Sequence, residues 1–159
     1  MTTIYQNQGT DITWKASGGT HVLTLTSLAS NAGRKSDLHD FGTNIPQNAR
    51  VELKTKIAVA PALGKTIDVY WACSVDNSSF DAQLAAGDAA LSDVTTINQL
   101  RFVGSLSLLA NTNLQSQSWD FAIPARYGFL VLINNSGQAL SSTSADHILT
   151  ITPLLGAIV

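Results

Sequence analysis

Glutamate occurs once in this chain, as Glu52, and cysteine once, as Cys73. A single cysteine excludes an internal disulfide. With one glutamate, paired-carboxylate chemistry of the glycoside-hydrolase kind falls to aspartates on distant loops, and nothing marks which. Charge is scarce too: 13% of residues are charged, about half the usual share, and the nine bases are scattered, which excludes the clustered footprint of a nucleic-acid binder. No apolar run approaches the length of about 20 residues that spans a membrane, and the opening residues Met1 to Asn7 lack the basic and apolar regions of a secretory leader. The expectation is a soluble protein made in the cytoplasm, with neither nucleic acid nor membrane among its partners. Glycine-rich phosphate loops and nucleophile elbows are missing as well.

What is present is alternation. In the stretch Arg50 to Val75, Val51, Leu53, Ile57 and Val59 share one phase, and after Ala60-Pro61-Ala62-Leu63-Gly64 a second run puts Ile67, Val69, Trp71, Cys73 and Val75 in phase. Period-two patterning around a Pro/Gly turn predicts a hairpin with one face in a β core. Thr10 to Ser27 reads as a second hairpin turning at Ser17-Gly18-Gly19. Further strands fall at Gln99 to Leu109, Gln115 to Ile123, Arg126 to Ile133 and Ala145 to Thr152. Arg126 to Ile133 is apolar on both faces, the mark of a central strand or of one covered by a partner. Many short strands, frequent turn signals and almost no helical period predict an all-β fold, an antiparallel β-sandwich arranged as a jelly roll of about eight strands. The domain spans residues 10–153, between an N-terminal arm (1–9) and an apolar C-terminal tail (154–159).

Chemistry-bearing residues do not converge. His21, His39 and His147 are dispersed, and Asp37, His39 and Asp40 lack the spacing of a metal site. Ser144, Asp146 and His147 are adjacent, whereas a catalytic triad is assembled by the fold. Asp76 to Asp81 lacks the turn glycine and distal glutamate of a calcium loop, and Cys73 reads as a core filler. The expectation is no enzyme, no cofactor and no metal. Trp71 and Trp119 lie in the apolar phase of their strands, while Trp14 and Tyr70 are freer and form the candidate platform for a sugar. The segment Asp76 to Asn98 is a long insertion holding four aspartates and no base, which we expect to be exposed and to meet a partner. The candidate interface is the arm (Thr2, Ile4, Tyr5), this insertion (Phe80, Asp81, Leu84, Asp88, Leu91) and the tail (Leu154, Leu155, Ile158, Val159).

The order Ile67-Asp68-Val69-Tyr70-Trp71-Ala72, an Ala/Asp-rich loop, Leu100-Arg101-Phe102-Val103-Gly104-Ser105, Pro124-Ala125-Arg126-Tyr127-Gly128-Phe129-Leu130-Val131 and Asn134-Asn135-Ser136-Gly137 resembles small jelly-roll virion proteins of tailed bacteriophages. The similarity covers roughly residues 50–153. It implies a capsid cement or decoration protein on the virion surface, assembled in the host cytoplasm, a homo-oligomer (dimer or trimer) in contact with the major capsid protein. It brings no catalytic residues. The alternatives are a carbohydrate-binding head or tail appendage with Trp14 or Tyr70 as its platform, and a structural protein of the tail or baseplate.

Overall fold

The computed structural model describes residues 4–158. The chain is all-β, with two mainly antiparallel sheets packed as a sandwich. Its strands are β1 (Ile4–Gln8), β2 (Ile12–Lys15), β3 (His21–Val22), β4 (Gly33–Lys35), β5 (His39–Asp40), β6 (Asn48–Thr55), β7 (Thr66–Ser74), β8 (Ala89–Ala90), β9 (Arg101–Ser107), β10 (Gln115–Ala122), β11 (Tyr127–Asn135) and β12 (Ile148–Ile158). The first sheet runs β10-β6-β12-β2-β3, with β1 also on β12; the second runs β8-β4-β11-β7-β9, with β5 also on β11.

Alternation places one face of each sheet in the shared core. Val51, Leu53, Leu149, Ile151 and Trp14 come from the first sheet, Ile67, Val69, Trp71, Leu130 and Leu132 from the second, and all are buried. Burying side chains of this size stabilises by about 1.5–3 kcal/mol each. The tryptophans sit close against backbone: a Cβ at Gly128 would stand 2.2 Å from the Trp71 ring, and one at Gly104 2.3 Å from Trp119.

The two hairpins expected from the pattern are not hairpins. β6 pairs with β10 and β12 while β7 pairs with β11 and β9, so residues 56–65 carry the chain from one sheet to the other. Two apolar faces that point at the same core can face each other across it as well as lie side by side, and period two fixes the face alone. β2 and β3 pair in parallel, not antiparallel. After Gly18, at φ +67°, the chain loops over so that Thr13 and Thr20 exchange hydrogen bonds, and Leu23 and Leu25 drop into the core. The phase of β7 also slips at its end: Ala72 and Ser74 are buried, Cys73 is partly buried and Val75 is 81% exposed.

Candidate interaction surfaces

Each chemically suggestive group is tied into the fold. The Cys73 backbone N–H and thiol both point at Asp81 Oδ2, at 3.0 and 3.1 Å, and burial with this carboxylate pushes the thiol up to about 12. It is no nucleophile at neutral pH. His147 Nε2 lies 2.9 Å from the Ser141 carbonyl and therefore donates, which leaves Nδ1 to accept from the Thr55 hydroxyl at 2.7 Å. Ser144, in a 3₁₀ turn (Ser144–Asp146), is exposed, and Asp146 accepts from Ser141, so these residues form no triad. Two dispersed histidines do meet: His21 Nε2 and His39 Nδ1 are 2.8 Å apart, joining β3 to β5 across the mouth of the sandwich. Burial lowers His21, and burial with His21 alongside lowers His39 to about 4. Among the described residues no group of three or more His, Cys, Asp or Glu side chains gathers as a metal site.

Trp14 is not a platform. It is fully buried, its Nε1 donating to the Asp37 carbonyl at 3.2 Å and its ring beside His21, His39 and Trp71. Its phase with Ile12, also buried, was the signal for the core. Tyr70 is half-buried on the outer face of the second sheet, its ring centroid 5.4 Å from that of Phe102.

The insertion is exposed along much of its length, as expected, but Phe80, Leu84 and Leu91 turn inward. It winds through 3₁₀ turns (Asp81–Gln83, Val94–Gln99) and β8 over the outer face of the second sheet. There Leu91, Phe80 and Leu84 pack with Phe129, Val131 and Ile133 of β11, the Phe80 and Phe129 rings 5.3 Å apart. β11 is therefore central, and its second apolar face is covered by the chain itself. Asp88 receives Arg34 Nε and Nη2 at 2.8 and 2.7 Å and the Thr24 N–H and hydroxyl at 2.9 and 2.7 Å. Burial works to raise the Asp88 pKa and is outweighed by these bonds, so the carboxyl stays below its ordinary value. Of the residues expected at a partner contact, Leu91 is buried and Phe80, Leu84, Asp81 and Asp88 are partly buried, each packed or hydrogen-bonded within the chain.

Two surfaces remain open. The first is formed by the arm and the tail. β1 pairs with β12 from Gln8 opposite Leu154 to Ile4 opposite Ile158, while the pairing of β6 with β12 ends at Leu154. Tyr5 and Leu155 belong to this two-stranded ribbon, which runs on past the end of β6; Thr2 and Val159 lie outside the described residues.

The second surface was not anticipated. Residues 56–65, 108–114 and 136–140 meet at one end of the sandwich, joined by Leu108 N–H to the Lys65 carbonyl (2.8 Å) and Ala58 N–H to the Ala139 carbonyl (3.0 Å). The buried Gln115 side chain staples the second loop, accepting from Leu109 N–H and donating to the Leu109 and Asn111 carbonyls. From this pinned backbone Val59 (57% exposed), Leu63 (78%), Leu109 (58%) and Leu114 (58%) stand into solvent, beside exposed Ala58, Ala60 and Ala62. Leu109 and Leu114 border a cleft of about 390 Å³. The three loops carry Lys56 and Lys65 and no carboxylate. The available signal was large aliphatic residues inside Pro/Gly/Asn turns, where polar ones are usual.

Neither a protein-family model nor a curated protein matches the chain.

Proposed function

We propose that the chain is a non-enzymatic structural protein of a tailed-phage virion, of the capsid cement or decoration type, which docks on the shell through its apolar loop end. The observation that carries this reading is the joint exposure of Val59, Leu63, Leu109 and Leu114 at one end of the sandwich. Four large aliphatic side chains held in water on loops tied together by backbone hydrogen bonds form the kind of exposed apolar patch that marks an interaction site. Lys56 and Lys65 fit a partner surface whose apolar sockets are rimmed by carboxylates.

The jelly-roll reading rests on strand order. Taking β2, β4, β6, β7, β9, β10, β11 and β12 as the eight principal strands, the first pairs with the eighth, the second with the seventh, the third with the sixth and the fourth with the fifth. Four antiparallel pairs nested in this way are what winding one long hairpin into two sheets produces. The arm and tail ribbon offers a second contact by strand addition at its open edges.

The test is binding to undecorated capsids. Leu63→Asp with Leu109→Asp places two charges on the docking end and is expected to lower occupancy at least tenfold; occupancy equal to wild type rejects the assignment. A place in the tail or baseplate differs from this reading only in location.

A further inference from the structure

Strand β9 contains an irregularity with a chemical consequence. Opposite β7 the register passes from Val69↔Gly104 directly to Tyr70↔Phe102, so Val103 is an extra residue on its strand. Without this bulge Phe102 would follow Leu106 and Gly104 onto the core face. With it Val103 is buried and Phe102 emerges beside Tyr70, 55% exposed, the two rings inclined at 64°. Bulges re-aim side chains in this way, and they concentrate near functional sites.

One step along the same face lies a polar set. Asp68, two residues from Tyr70 on β7, accepts from the Ser105 hydroxyl on β9 and from Asn135 Nδ2 on β11 at 2.7 Å. All three are partly exposed. A carboxylate offers about four lone-pair positions, so Asp68 retains acceptor capacity beyond these two bonds, and Asn135 keeps its Oδ1 as well. Among the described residues no protein group takes the Tyr70 hydroxyl.

We propose that Tyr70, Phe102, Asp68 and Asn135 form a subsite for a neutral pyranose sugar. A pyranose ring has an apolar C–H face that packs on aromatic rings and an edge of neighbouring hydroxyls that donate to a carboxylate and exchange bonds with an amide; the face presents both, one strand step apart. The Asp68 charge disfavours sialylated, sulfated or phosphorylated sugars. Its hydrogen bonds to Ser105 and Asn135 fix the carboxylate in place before a ligand arrives. This subsite does not depend on the structural role proposed above, since it lies on a sheet face and not on the loop end.

The experiment is an array of printed oligosaccharides probed with the full chain as wild type, Phe102→Ala, Asp68→Asn and Tyr70→Phe, with thermal melts of each to establish folding. Wild type is expected to bind at least one neutral glycan. Phe102→Ala and Asp68→Asn each lower that signal tenfold or more at an unchanged melting temperature, and Tyr70→Phe, which keeps the ring, lowers it less. Should Asp68→Asn melt early, Phe102→Ala, an exposed change, decides alone. An array without a hit overturns the proposal, as do hits on acidic glycans only or hits indifferent to Phe102→Ala and Asp68→Asn.

Discussion

Gly128 leaves room for the Trp71 ring and for nothing else. A methyl group there would stand 2.2 Å from Cζ2, and Trp71 has no free side to retreat to, flanked as it is by Trp14, Phe41 and Phe121. Gly128→Ala is expected to destabilise by about 3 kcal/mol, at the upper end for overpacking, read from the urea midpoint. Gly64→Ala separates space from backbone strain. Nothing lies within 4 Å of its added methyl, and its φ of +78° alone should cost about 1–2 kcal/mol. Equal midpoints for the two variants would contradict the close fit at Trp71. The histidine pair is the other residue-scale device. Asp37 raises His21 and Asp40 raises His39, but burial dominates in both, so each imidazole holds a proton less readily than a free histidine, His39 only down at about 4. Between pH 6.5 and about 4 the unfolded chain binds a proton that native His39 refuses, and His21 acts in the same direction, so stability falls as pH drops through this window. His39→Gln should weaken that dependence relative to wild type; a wild-type urea midpoint that stays flat from pH 7 to 4.5 would contradict it.

Among the elements, the insertion has the largest effect on what the surface is. It closes the outer face of β11, and Leu91 is its most buried anchor. Leu91→Ala is expected to destabilise by about 2–3 kcal/mol and to raise the binding of a hydrophobic dye, because Val131 and Ile133 lose their cover. Dye binding unchanged from wild type would mean that the segment does not shield that face. Sequence made the faces of the elements legible but not their neighbours. Val51, Leu53, Ile67, Val69 and Trp71 are core as the alternation indicates. The same alternation cannot tell that β6 and β7 lie in different sheets, since both runs are apolar toward a single core. Phe102 is in step with Leu106 along the sequence, yet a bulge breaks that period and turns it outward, and the packing of the insertion was not legible because an irregular segment has no period from which burial can be read.

For the whole molecule, the distribution of apolar surface matters more than its amount. The outer face of the first sheet is polar, with ion pairs Arg50–Asp120 and Lys54–Glu52, and on the second the insertion covers the apolar side chains of β11. Four large exposed aliphatic side chains, Val59, Leu63, Leu109 and Leu114, gather at the loop end, in segments that a linear reading assigns to turns. Sequence legibility was therefore good for the fold class and poor for the surface that we assign to docking, which exists only where three separate loops converge. Leu63→Asp with Leu109→Asp should leave the melting temperature within a few degrees of wild type, because both side chains are already mostly in water. That makes the pair a clean probe of association. Co-sedimentation of the purified chain with undecorated capsids, wild type beside this double variant, is the measurement to make. We predict that wild type pellets at a fixed ratio to the shell protein and that the variant stays in the supernatant; a wild-type chain that ignores capsids, or a variant that pellets equally, would contradict docking through this end.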